Sequence, residues 1–154
     1  MTIIEVTPFI MRNAIVSFAA NDFAKAVSSA TLTPSGGTTP FKGLKPDAVF
    51  TFPQSVTWTL DLEFAQDWSA DTSLSRYLFE HQGETIAATL NPDDKTSGTT
   101  SWAITVAIAP GAVGGPVDSV ATSTVSLGIV GAPVPTTVPP AGGGTFAAPE
   151  PDEA

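Results

Sequence analysis

Residues Ser55–Phe64 read SVTWTLDLEF and alternate between apolar and polar side chains at every step. The apolar side chains occupy one set of alternate positions: Val56, Trp58, Leu60, Leu62 and Phe64. The polar side chains occupy the other set: Thr57, Thr59, Asp61 and Glu63. Successive side chains of a β-strand point to opposite faces. The alternation therefore predicts a half-buried strand with an apolar inner face and a polar outer face.

Two later segments repeat this pattern. TSWAITVAIA places Trp102, Ile104, Val106 and Ile108 on one side. SVATSTVSLGIV places Val125, Leu127 and Ile129 opposite small polar residues, among them Thr122, Thr124 and Ser126. NAIVSFA and AKAVSSATLT predict weaker strands, poor in large residues, and AVFTF and TIAATL predict short ones.

One helix interrupts the strands. SADTSLSRYLFEHQG predicts a short helix over about residues 71–82, with Asp71 to Ser73 as candidate caps and Gly83 placed for a left-handed C-terminal cap. With about seven or eight strands in hairpin-like succession, the fold class expected is mainly β: an antiparallel β-sandwich or partial barrel.

Two segments are rich in proline and glycine: residues 33–47, between predicted strands, and residues 131–154, after the last one. Residues 33–47, TPSGGTTPFKGLKPD, predict a loop, but Phe41, Lys42, Leu44 and Lys45 are large for a solvent linker, so the loop is expected to make a contact. Residues 131–154 contain ten Pro or Gly, three acids and no base. They predict an extended or disordered acidic tail behind a β domain of residues 1–130.

Composition limits the function. The 154-residue chain carries a formal charge of −9, and only 14% of its residues are charged. A negative field repels nucleic-acid phosphates, and a surface with few charges favours coverage by partners. The absence of cysteine excludes disulfides and thiolate sites. No apolar run suits a membrane span, and the N-terminus lacks the basic start of a secretory signal.

The titratable and aromatic residues of the sequence predict no enzyme and no catalytic, metal-binding or cofactor-binding residue. His81 is the single histidine, and its neighbour Glu80 points away from it on a helix. Asp67 and Asp71 are better explained by the start of the helix than by a cation. Asp61 and Glu63 resemble the spacing of a glycosidase pair, but lack a third polar group that would separate their pKa values. Trp58 and Trp102 are expected in the core rather than in a sugar platform.

Three stretches, in this order, resemble the major tail tube proteins of long-tailed, non-contractile bacteriophages. FKGLKPDAVFTF resembles the family's loop exit. SVTWTLDLEFAQDWSADTSLSRYLFEHQGETIAATLNPD resembles its central strand, helix and strand. SWAITVAIAPGAVGGPVDSVATSTVSLGIVGAP resembles its C-terminal hairpin. The likeness spans about residues 10 to 133 and leaves the proline-rich tail unmatched.

The resemblance implies a structural virion protein, built in the host cytoplasm, whose copies form stacked hexameric rings around a DNA channel. Its partners would be copies of itself, other tail proteins and DNA in transient passage, with no membrane. Asp61 and Glu63, with Thr57 and Thr59, become candidates for the lumen. Residues 41–45 become a contact between rings or subunits, and the strand with Thr122, Thr124 and Ser126 becomes a pairing strand.

Two other readings stay open on the residues. A capsid decoration protein or an immunoglobulin-like adhesion module predicts a trimer or a tethered monomer. An enzyme or glycan-binding module predicts that removing the charges of Asp61 and Glu63 abolishes activity and leaves assembly intact.

Overall fold

A computed structural model describes residues 1–6, 8–93 and 100–137. These residues form ten strands and one helix. In chain order the elements are β1 (Ile15–Phe18), β2 (Asn21–Asp22), β3 (Val27–Ser35), β4 (Thr38–Lys42), β5 (Val49–Pro53), β6 (Thr57–Ala65), α1 (Leu74–Glu80), β7 (Thr85–Asn91), β8 (Thr100–Ala107), β9 (Thr122–Gly128) and β10 (Val134–Thr137).

Two antiparallel sheets pack face to face. One has the strand order β10-β8-β7-β1-β2 and the other the order β3-β6-β9. Apolar side chains from both sheets and from α1 fill the space between them. The largest of those that are fully buried are Phe18, Leu60, Leu62, Phe64, Leu74, Leu78, Val106 and Leu127. The predicted fold class, a mainly β antiparallel sandwich with one short helix, is confirmed.

The central strand of the smaller sheet is the segment whose alternation predicted it. Along β6, Leu60, Leu62 and Phe64 are buried, and Trp58 is half-buried. Val56 was expected on the same inner face but lies just before β6, where 52% of its surface is exposed. The inner face therefore begins at Trp58, because the residues before β6 lie outside the sandwich.

The helix is shorter than predicted: α1 covers Leu74–Glu80 rather than residues 71–82. Its N-cap is Ser73, whose hydroxyl accepts a hydrogen bond from the Arg76 N–H at 3.4 Å. The preceding residues form a turn in which the Asp67 carboxylate accepts from the N–H groups of Ser69 and Ala70. This turn and the cap at Ser73 precede the helix, which therefore begins at Leu74 and not at residue 71. The cap predicted at Gly83 is not the helix cap: the C-cap is His81, and Gly83, with a φ of +84°, donates its N–H to the Ile108 carbonyl at 3.0 Å.

The loop predicted over residues 33–47 is wrong for residues 33–35 and 38–42, which are strands, and only residues 36–37 and 43–47 lie outside them. Strand β3 continues to Ser35, and after Gly36 and Gly37 the chain resumes as β4, which pairs with β5 from Thr38↔Pro53 to Lys42↔Val49. The prolines and glycines suggested a loop, yet a two-stranded ribbon tolerates proline at its open edges. We call residues 38–53 the arm. The pair of β3 and β6 continues into the arm, so the four strands form one long hairpin. The β3 and β6 half lies in the sandwich, and the arm projects from it.

The predicted hairpin of β8 and β9 is also wrong. β8 lies in the larger sheet and β9 in the smaller one, joined by an isolated bridge at Val106↔Ile129. Residues 108–121 cross between the sheets. Gly114, with a φ of +101°, turns the chain there. The Gln66 side chain holds this turn by donating to the Gly114 carbonyl at 2.8 Å and accepting from its N–H at 2.9 Å.

The segment predicted as an acidic tail starts with structure. Its residues Val134–Thr137 form β10 and pair with β8. Residues 138–154, the remainder of that predicted tail, lie outside the described residues, and the division at residue 130 stays a prediction. Among residues 1–6, 8–93 and 100–137, no helix has the length and apolar character needed to cross a membrane.

Candidate assembly surfaces

The outer face of the three-stranded sheet is a continuous polar surface, which we call the polar face. The register places Thr31, Asp61 and Ser126 in one row across the sheet, and Ser29, Glu63 and Thr124 in the next. Further residues on this face are Thr33, Ser35, Thr57, Thr59 and Thr122. The three strands contain two acids and no base. The polar face therefore combines hydroxyl groups with negative charge.

Asp61 is fixed at the centre of the polar face. Its carboxylate accepts hydrogen bonds from the hydroxyls of Ser126 on β9 and Thr33 on β3, the latter at 2.7 Å. The bond from Ser126, and then that from Thr33, hold the pKa of Asp61 below its usual range, outweighing the small effect of burial. Asp61 therefore stays ionised at any neutral or mildly acidic pH, and it ties all three strands together.

The structure brings two predicted groups of residues together. Thr57, Thr59, Asp61 and Glu63 of β6 share the polar face with Thr122, Thr124 and Ser126 of β9. Sequence reasoning missed the third strand, where Ser29, Thr31 and Thr33 complete the surface. The signal was present in AKAVSSATLT, where these residues alternate with Ala30 and Leu32. Its small apolar residues made that alternation weak.

Both edges of the smaller sheet are open. Within the described residues, β3 and β9 each pair with β6 on one side only. Neither strand contains a lysine or arginine, the residues that commonly block an edge against pairing. Pro34 is the edge-protecting residue that β3 does contain. These two edges are suited to backbone pairing with another chain.

The arm presents apolar surface to solvent. Phe41 and Phe50 are direct cross-strand partners with ring centroids 6.4 Å apart, and Phe52 lies on the same face, opposite Thr39. All three rings are more than half exposed, and Leu44 at the tip is fully exposed. Lys42 lies at the end of β4, on the other face, and Lys45 in the tip. The predicted contact residues therefore do not form one cluster, and the aromatic face owes two of its rings to β5.

The candidate catalytic side chains named from the sequence have other partners in the structure. His81 Nδ1 lies 2.8 Å from Glu84 Oε2, and its ring packs on Tyr77 at 4.4 Å, with no hydroxyl nucleophile bonded to it. The bond from the Ser69 hydroxyl, with those from the Ser69 and Ala70 N–H groups, lowers the pKa of Asp67, which serves a turn. In the part of the chain that the structure describes, no three His, Asp or Glu side chains could jointly hold a metal ion.

Solved structures with a similar fold come from tail and injection particles. A chain of the PVC extracellular contractile injection system, in its extended sheath–tube complex, superposes with a TM-score of 0.60 at 16% identity, over 85% of this chain and 93% of that one. A chain of the native gene transfer agent virion gives 0.58 at 11% identity, over 81% and 96%.

A third similar structure is a chain from the tail of an empty gene transfer agent particle, refined with C6 helical symmetry. It has a TM-score of 0.52 at 14% identity and covers 73% of this chain and 83% of that one. No protein-family model and no curated protein sequence matches the chain. At these identities the likeness establishes the fold.

Proposed function

We propose that the chain is a tail tube subunit that self-assembles into stacked hexameric rings in a phage-type virion, through which DNA passes. The observation that carries the proposal is the polar face: three strands of hydroxyls and carboxylates without a base, bounded by two open edges. Joining such edges around a ring would close the sheet into a barrel and remove its free edges. The fold shared with tail and injection particles supports the same assignment.

The polar face would line the channel. Like charges keep DNA from binding to the wall, and the face contains no lysine or arginine to neutralise phosphates. Burial of the opposite face in the core leaves this one available to solvent. The neighbours include a contractile system, so the fold does not select one kind of tail. The non-contractile class rests on the sequence resemblance.

The arm would join one ring to the next. Three phenylalanine rings exposed on a two-stranded ribbon are costly in water, and covering them supplies much of the energy of a contact between proteins. The arm leaves β6 at Thr57, whereas α1 follows the other end of that strand. It therefore projects from one end of the sandwich and is placed to reach a neighbour along the strand direction.

Electron microscopy of the purified chain, with its oligomeric mass measured in solution, tests this function. We expect six-membered rings and, at high protein concentration, tubes. Monomers or trimers under all conditions would contradict the proposal and would favour a decoration or adhesion module instead.

A matched pair of variants tests the arm separately. Phe50 and Val49 are equally exposed, at 54% each, and lie on opposite faces of β5. We expect Phe50→Ser to reduce tube yield at least about ten-fold while single hexamers persist, because it removes an aromatic side chain that stacking would bury. Val49→Ser should form tubes normally. Equal effects of the two changes would exclude the aromatic face as the contact.

A further inference from the structure

The direction of the strands constrains how a ring can close. Both β3 and β9 run antiparallel to β6, so the two open edges run parallel to each other. Rotation about a ring axis keeps every copy's strands in the same sense. Direct joining of β9 in one copy to β3 in the next would therefore create a parallel pair at each junction. An all-antiparallel barrel requires one additional strand per subunit between these edges.

The N-terminal segment has the properties of that strand. Residues 2–6 read TIIEV, and β-branched residues favour strands. Ile3, Ile4 and Val6 are each more than 80% exposed. Within the described residues, no hydrogen bond joins residues 1–6 or 8–13 to the rest of the chain. The segment thus has free backbone groups and uncovered apolar side chains.

The residues that follow this segment, 9–14, lie beside the edge of β3 and run in the correct direction. Met11, Arg12 and Ala14 line a cavity of 290 Å³ along residues 27–31 of β3. Phe9 and Met11 line a second cavity, of 330 Å³, along residues 30–32. From residue 14 back to residue 9 the chain thus advances from the start of β3 towards its end, so it runs antiparallel to β3. Residues further back continue in this direction towards the end of β3 at Ser35, so the insertion proposed below moves them along the edge on assembly.

We propose that residues 2–6 become a fourth strand of the smaller sheet on assembly, inserted between β3 of their own chain and β9 of a second copy. The inference rests on the proposed function, because it names the strand that would complete the ring. It makes the interface antiparallel throughout and covers Ile4 and Val6, whose exposure the isolated subunit leaves unexplained. The occupant of the open edge of β9 is then the N-terminal segment of the neighbouring copy.

Cysteine cross-linking separates the two arrangements, because the chain contains no cysteine of its own. A disulfide needs Cα atoms about 4.4–6.8 Å apart, whereas strands separated by a third strand lie about 9–10 Å apart. Ile3→Cys or Glu5→Cys, which would share the polar face when Ile4 and Val6 face the core, is paired, in separate double variants, with Thr122→Cys, Thr124→Cys or Ser126→Cys. A matched set pairs Thr31→Cys with the same three positions.

In assembled rings we expect at least one N-terminal pair to form intermolecular disulfides and the Thr31 set to form none. The opposite result, with the Thr31 set joined and the N-terminal set not, means that β3 and β9 meet directly and overturns the inference. Rings in which neither set cross-links also overturn it. A wild-type chain that forms no rings contradicts the proposed function itself, so the two failures are distinguishable.

A strand-breaking substitution gives a second measurement that does not depend on register. A strand paired on both sides uses every N–H group, and proline has none. We expect Val6→Pro to reduce ring yield at least about ten-fold, and Val6→Thr, which keeps the β-branch and the N–H, to leave it unchanged. Hydrogen exchange should show the amides of residues 2–6 protected in rings and free in monomers. Unprotected amides in rings would overturn the inference.

Discussion

The long hairpin of β3, β4, β5 and β6 consists of two halves with opposite surroundings. In the half within the sandwich, Leu60, Leu62 and Phe64 are almost fully buried. In the arm, Phe41, Phe50 and Phe52 are more than half exposed. Both halves are antiparallel pairs in which one face gathers large apolar side chains. The difference teaches that alternation defines a strand and its apolar face, whereas what covers that face depends on the rest of the molecule or on another copy.

The largest expected effect is on the half within the sandwich. Phe64→Ala should lower the free energy of unfolding by about 3–5 kcal/mol, because it leaves a cavity at a side chain that is 1% exposed. Phe50→Ala in the arm should change it by no more than about 0.5 kcal/mol. Denaturant unfolding of the monomer measures both. Similar losses for the two would mean that the arm is part of the folded core.

A smaller change in the free energy of unfolding, of opposite sign, is expected at Ser123, in the half within the sandwich. Ser123 faces Phe64 across β9 and β6, and its hydroxyl is buried without a hydrogen-bond partner. Gly111 packs so closely there that a Cβ at that position would approach the hydroxyl. Ser123→Ala should raise the free energy of unfolding by about 1 kcal/mol, since it removes an unsatisfied polar group.

The control for this change is Ser126→Ala, three residues further along the same strand. It removes a hydrogen bond to Asp61 instead of an orphaned hydroxyl. Its free energy of unfolding should therefore fall. If both variants were destabilised alike, the Ser123 hydroxyl would have a partner in solution.

The smallest effect is the pH dependence of the polar face. The folded-state pKa of Asp61 is lowered by the Ser126 and Thr33 hydroxyls. The stabilisation is therefore complete above the unfolded-state pKa of about 3.9 and is lost as pH falls through the lower folded value. Asp61→Asn should reduce the loss of stability below pH 4 relative to wild type, as measured by unfolding at pH 7, 4 and 3. Parallel pH profiles would exclude Asp61 as a contributor.

The sequence predicted much of the sandwich because its central strands show a clear alternation of apolar and polar residues. The alternation in SVTWTLDLEF predicted both the buried side of β6 and the polar side, with Asp61 and Glu63. The strong alternation in TSTVSLG did the same for β9. These predictions needed a single strand and its period, without knowledge of partners.

The sequence could not predict features that depend on distant pairing. β4 reads TTPFK, and its pairing with β5 depends on register rather than on local composition. β8 and β9 looked like a hairpin because they are consecutive, but their inner faces pack from opposite sheets. That Thr124 stands beside Glu63 on one face also depends on register, since a slip of one residue would turn β9 over.

The position of the arm at one end of the sandwich has a further consequence. A contact between the tip of one subunit and a different surface of the next is heterologous, and such a contact gives every ring the same orientation. A tube of these subunits would be polar, with one end offering arms and the other accepting them. Because the accepting end is renewed with each added ring, nothing in this interface stops growth. The length of such a tube must be determined by another component.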